Sequence, residues 1–308
     1  MGLQHVGYVE LPAHVTSGGF DHAAVHRARA LLYVAHTAND ALDVIDCDKD
    51  RYVHSISGLT GVAGALVSDE LDLVFTSNRV ENSIGIFSPD DEAGLAKVSV
   101  GVRPNGLAFD PRRRRLLAAN VGDPAVPHRF TFSIVDVAKR TLIADIPAPG
   151  RTRWTVYDAQ TDAFYINIAD PAQIVVVAAH DPTRIARTLE IDVAGPHGLD
   201  LDAEHRRLFC ACDGGQLICL QLPEGRRLHQ SGLSGVPDVI FFNRVLHRLY
   251  VAIGDPGVID VFDTETMERV ETVPTEKGAH TLAFDPNRNK VYAFLPRTHR
   301  AAVYVENG

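Results

Sequence analysis

His280–Tyr292 reads HTLAFDPNRNKVY: an apolar strand opening, an Asp-Pro turn, then a second short strand closing on an aromatic residue. The same phrase recurs at Asn105–Leu117 (NGLAFDPRRRRLL), His197–Phe209 (HGLDLDAEHRRLF) and Asp238–Tyr250 (DVIFFNRVLHRLY). Weaker copies open at Asp21, Ala63 and Arg153. Successive openings lie 42, 42, 48, 44, 41 and 42 residues apart. A period near forty marks units that are each one small sheet, unable to bury its faces without neighbours.

Each unit reads as four short strands. In the first they fall near 21–26, 30–36, 41–46 and 51–56, and in the sixth near 238–242, 248–253, 257–262 and 268–273. Val, Ile, Tyr and Phe alternate with polar residues, and Gly, Pro, Asn and Asp punctuate between them. No apolar period of 3.6 residues persists long enough to argue for a helix. Four-stranded units repeated radially make a β-propeller, so the expected fold is an all-β, seven-bladed propeller of antiparallel blades over residues 1–308. The last unit supplies only three strands, near 280–284, 290–295 and 301–305. His5–Leu11 (HVGYVEL) alternates correctly and precedes the first unit, so it is expected to add the outer strand of the last blade and hide both edges.

The formal charge of −9 argues against a nucleic-acid or anionic-membrane partner, which would want a basic face. The one basic run, Arg112–Arg115, falls in a turn and reads as a solvated one. No run reaches the roughly 18 apolar residues that a membrane span needs. The N-terminus lacks a cationic region followed by an apolar stretch, so the cytoplasm is the expected compartment. Cys47, Cys210, Cys212 and Cys219 include no CxxC pair and read as reduced, buried residues. There is no GxSxG, phosphate loop, HExxH or dinucleotide fingerprint, which disfavours phosphoryl and hydride transfer and a nucleotide or flavin cofactor.

The stretches LLYVAHTANDALDVIDCDKDRYV and RLYVAIGDPGVIDVFDTETMERVETV resemble the YVTN-type propeller repeat, and this resemblance covers essentially the whole chain. It implies a fold, not an activity, because such propellers include enzymes, ligand binders and scaffolds. Pro-Asn-Gly at 104–106 and Pro-His-Gly at 196–198 are also similar to motifs of the gluconolactonase, paraoxonase and streptogramin-lyase propellers. In the lactonase families the Asn of that tripeptide coordinates a divalent metal at the mouth of the central channel, a role the resemblance places on Asn105.

The first strand of a propeller blade runs beside the axis, so residues at its opening converge at one face. Aligning the seven copies puts Asp21, Ala63, Asn105, Arg153, His197, Asp238 and His280 at the opening position. The next position holds His22, Gly64, Gly106, Trp154, Gly198, Val239 and Thr281. The strand turns its backbone edge to the channel, so alternation does not decide which set points inward; the Asn105 resemblance favours the first. Two imidazoles and a carboxylate on consecutive blades (His197, Asp238, His280), with Asp21 after them, suit Zn, Mn, Fe or Ni better than Ca, which prefers all-oxygen sites. This His-rich ring departs from the oxygen-rich lactonase set. The same residues also read as a hydrated polar channel.

The longest interval contains the loop Asn120–Phe130 (NVGDPAVPHRF), a candidate pocket wall carrying Asp123 and His128. Trp154, the only tryptophan, either stacks on a ligand or packs between blades. Arg153 either holds a substrate carboxylate or developing oxyanion or pairs with an acid such as Asp21 or Asp238. Loops between second and third strands add polar groups to this face, Arg79 and Asp213 among them, although turns favour Asn and Asp for backbone reasons alone.

Two functions follow. In the first, the chain is a metal-dependent hydrolase, lactonase- or esterase-like, or a lyase acting on a small organic substrate. His197, Asp238, His280 and Asp21 hold the metal, His22 serves as general base, Arg153 assists, and Asn105, Trp154 and His128 contact substrate. In the second, it is a non-catalytic propeller whose pocket holds a ligand or a protein partner.

Overall fold

The computed structural model describes residues 2–123, 125, 126 and 129–306. They form seven four-stranded antiparallel sheets. The innermost strands are Phe20–His26, Val62–Ser68, Pro104–Asp110, Thr152–Asp158, Pro196–Asp202, Pro237–Asn243 and Thr281–Asp285. Six sheets run in chain order from inside outward. In the seventh, Leu3–Glu10 pairs outside Arg300–Glu306, closing the ring with the N-terminal strand as expected, though two residues earlier than the alternation of His5–Leu11 placed its start. The first unit's strands, Phe20–His26, Leu31–His36, Ala41–Asp46 and Arg51–Ile56, match the sequence reading within one residue. The one helical element among the described residues is the 3₁₀ turn Thr37–Asn39.

Each part of the repeated phrase has a physical duty. Its closing residue (Tyr33, Phe75, Leu117, Tyr165, Phe209, Tyr250 or Tyr292) is fully buried in all seven blades. These side chains fill clusters that join adjacent blades, as where Tyr292 packs with Leu32, Val34 and Val9 across the closure. The Asp that ends the first strand caps the turn: Asp110, Asp158 and Asp285 each accept backbone N–H groups two and three residues on. The tenth residue of every copy (Ala30, Asp72, Arg114, Asp162, Arg206, His247 and Asn289) takes a positive φ between 52° and 54°. The turn therefore has one fixed left-handed residue, which the sequence fills with Asn or Asp in only three copies.

The basic run is not simply solvated. Arg113 forks onto Asp110 and onto Asp162 of the next blade, and Arg115 donates to the Ala179 carbonyl. All four cysteines are free and buried, with the Cys210 and Cys212 sulfurs 3.8 Å apart. No helix among the described residues is long and apolar enough to cross a membrane.

Candidate functional site at the channel mouth

The innermost strands do not pair regularly from their first residue. In six blades the register slips just where the opening residue stands, for example between Pro104 and Leu107, between Thr152 and Thr155, and between Pro196 and Gly198. In the seventh, His280 lies just ahead of the ladder that begins at Thr281. A bulge releases a side chain from the alternation of the strand and re-aims it. The openings are thereby freed to meet at one rim.

The glycines at the following position make room for this. A Cβ on Gly64, Gly106 or Gly198 would come within 2.4, 2.6 or 2.3 Å of the carbonyl oxygen of Asn105, Arg153 or Asp238 on the neighbouring blade. Each glycine lets the next blade approach. Gly198→Ala is expected to destabilise the fold by about 1–3 kcal/mol, the usual cost of overpacking, and to shift Asp238. A urea unfolding midpoint equal to wild type would contradict this close approach.

At the rim, charges alternate. His197 donates Nδ1–H to Asp213 Oδ1 at 2.7 Å, and its Nε2 lies 3.2 Å from Asp238 Oδ1 and 3.1 Å from Arg153 Nη1. Arg153 also pairs with Asp213 at 3.2 Å. Its partners are thus Asp213 and His197, not the Asp21 or Asp238 suggested by the alignment. The other oxygen of Asp238 lies 3.4 Å from His280 Nδ1. Asp21 pairs with Arg79 at 3.1 Å and lies 3.4 Å from His22 Nε2.

This arrangement sets opposite protonation states. Burial alone would lower the His197 pKa, but the carboxylates of Asp238 and Asp213 raise it to about 9. Burial would likewise lift Asp238, yet His197, His280 and His22 hold it well below the usual carboxylate range. His22 is shifted the other way. Burial dominates over the pull of Asp21 and Asp238, so it stays neutral. His22 stacks on Trp154 with ring centroids 4.1 Å apart, and this pair crosses the channel beneath the rim. Trp154 also packs against two inter-blade clusters, the packing role that was one of the two expected for it.

The four expected metal ligands reach the same rim, but already engaged. Among the described residues no group of three or more His, Cys, Asp or Glu side chains converges as a metal site requires. A cation at His197 Nε2 would face the Arg153 guanidinium 3.1 Å away. As placed, these residues do not fit a divalent cation. Asn105 accepts Ser77 Oγ through its main-chain oxygen, while its Oδ1 is buried with no hydrogen-bond partner among the described residues. His128 lies outside the described residues, and Asp123 from the same loop lines a shallow cavity of about 440 Å³ with Arg79, Asn82 and Arg103.

Two arginines escaped the sequence reading. Arg103 and Arg151 precede the openings of blades three and four, and neither side chain has a hydrogen bond or ion pair among the described residues. Burial, together with the positive charges of Arg153 and Arg79, lowers the pKa of Arg151. Blades two to four therefore line their half of the mouth with cations, facing the His–Asp series of blades five to seven. The only signal for this in sequence was position relative to the repeated phrase.

No protein-family model and no curated protein sequence matches the chain. Among solved structures it is similar to a chain of Kuenenia stuttgartiensis hydrazine synthase, with a TM-score of 0.81, 12% identity, and coverage of 94% of this chain and 97% of that one. It is also similar to a chain from the crystal structure of a mitotic checkpoint complex, with a TM-score of 0.82, 10% identity, and coverage of 99% and 92%. At such identities the likeness speaks for the fold alone. One neighbour comes from an enzyme and the other from a protein assembly, so the fold does not choose between activities.

Proposed function

We propose that the channel mouth binds a small anionic organic molecule and acts on it by proton transfer, as a hydrolase or lyase without a required metal. The observation that carries this is the cation cluster: Arg103 and Arg151, unpaired among the described residues, stand beside Arg153 and Arg79. Gathering four guanidinium groups costs repulsion that a carboxylate or phosphate on the ligand would offset.

The remaining roles follow from the paired side chains. His280 is the most exposed imidazole of the rim, and Asp238 beside its Nδ1 favours the tautomer that leaves Nε2 basic. It is better placed than the buried His22 to take a proton from water or from a carbon acid. Arg153 and the His197 imidazolium would face the negative charge that develops on an attacked carbonyl or an enolate. His22 and Trp154 form the floor of the site. The lactonase-like resemblance of the blade openings supports testing cyclic esters first.

Calorimetry with succinate and inorganic phosphate tests the binding step. Wild type is expected to bind one or both, and an Arg103→Gln/Arg151→Gln double variant to bind at least tenfold more weakly. Failure of wild type to bind either at millimolar concentration would sink the anion site. A panel of lactones and esters bearing a carboxylate, assayed with and without chelator, tests the chemistry, and chelator-insensitive turnover is expected. Chelator-sensitive turnover with stoichiometric metal would instead support the metal-dependent form, in which Arg153 must first leave His197. A non-catalytic scaffold is the second reading. Its support is that the rim acids and imidazoles satisfy one another, and anion binding without turnover on the panel would favour it.

A further inference from the structure

A cavity larger than the one beside Asp123 lies away from the mouth. About 930 Å³ of the channel lies below the His22–Trp154 pair and opens on the opposite face, among the turns that join first and second strands. Its wall comes largely from the residues one to four positions after the openings. Trp154, Phe109, Tyr157, Phe241 and Phe284 each present a partly exposed ring to it. The volume is in the range of small-molecule pockets.

Among the ionisable side chains that line it, Asp200 stands three positions after its opening, level with Phe241 of the next blade. Asp200 of blade five accepts the Leu201 N–H at 2.7 Å and the Phe242 N–H at 2.6 Å, and no cationic side chain lies within ion-pair distance of it among the described residues. Burial pushes its pKa up to about 6, against the lowering effect of those two N–H donors. It is a carboxyl group set in an aromatic-lined cavity with no cationic partner among the described residues. A carboxylate facing apolar rings is stabilised by a cation that pairs with it. The cavity opening carries the exposed Glu70, Glu204 and Arg244, with Arg27 paired to Asp69, and the overall charge of −9 favours the approach of cations.

We propose that the lower channel is a binding site for a small organic ammonium ion with an apolar or aromatic body. The ammonium group pairs with Asp200, and the body lies against the ring faces, which attract a cation through their quadrupoles while burying hydrocarbon. This site is independent of the anion site above it. The His22–Trp154 pair separates the two.

Trp154 is the only tryptophan, so its fluorescence reports on the roof of this cavity directly. Wild type would be titrated with 2-phenylethylammonium, with the neutral 2-phenylethanol and with phenylacetate. Saturable quenching by the ammonium ion, at least tenfold weaker for the alcohol and absent for the carboxylate, is expected. Asp200→Asn should lose at least tenfold in ammonium affinity, with its fold checked by circular dichroism. Ala24→Phe, which narrows the cavity from blade one, should abolish binding and leaves the proposal testable if the Asn variant does not fold. Equal affinity for alcohol and ammonium, undiminished affinity in Asp200→Asn, or no ammonium binding at millimolar concentration would overturn it. Succinate bound at the mouth should not compete, whichever way the proposed hydrolase or lyase activity turns out.

Discussion

Asp238→Asn is expected to lower stability by about 3 kcal/mol near neutral pH and to remove at least a hundredfold of any turnover. Asp238 serves two imidazoles at once, His197 at 3.2 Å and His280 at 3.4 Å. Neutralising it leaves the charged His197 with Asp213 as its remaining carboxylate, and breaking a buried pair from one side typically costs about 3–5 kcal/mol. It also removes the carboxylate that orients His280, where general-base contributions run to about a hundredfold or more. The pH dependence has a definite sign. His197 is raised to about 9, so its contribution is complete below its unfolded value near 6.5 and is lost as pH rises through 9. Asp238 is depressed, so its contribution is present above the ordinary carboxylate value and is lost as pH falls through its folded value. Urea midpoints at pH 5, 7 and 9 should therefore decline toward pH 9 in wild type, and the decline should flatten in the Asn variant. Parallel pH profiles would show that the pair is not coupled as described.

Deleting residues 2–10 is expected to cost about 5 kcal/mol or more and to make the protein associate. The deleted strand forms seven register pairs with Arg300–Glu306, and it buries Leu3 and Val9 in two different inter-blade clusters. Two buried aliphatic side chains alone account for about 3–6 kcal/mol. The strand left behind would present a bare edge, a template for pairing with another chain. Light scattering and unfolding midpoints measure both effects, and a peptide of residues 2–11 should reverse the association. A truncated chain that stays monomeric with an unchanged midpoint would mean that the closure is dispensable.

The repeat made the scaffold readable because its positions carry single duties. The closing aromatic is a core residue, and the Asp before Pro is a turn cap. Both duties tolerate little else, so they recur at fixed spacing. The rim was readable as a set of residues but not as a set of contacts. His197 meets Asp213 through a loop sixteen positions on, and Arg153 meets both from a third strand, so no local pattern records the network. The bulges that aim these side chains leave no mark in sequence except the glycines at 64, 106 and 198. The lower cavity was hidden for a related reason. With the backbone edge of each strand facing the axis, alternation did not reveal that Phe109, Phe241 and Phe284 line the channel while Leu199 and Ile240 pack between blades.

Nitrogen-15 spectra of the histidine side chains, followed from pH 5 to pH 10, test the rim most directly. The paired arrangement predicts that His197 keeps both ring protons until about pH 9, while His22 stays neutral down to well below its ordinary value. If His197 lost its proton near pH 6.5, or lacked a proton on Nε2 at neutral pH because a metal held it, the charge-paired mouth described here would be wrong.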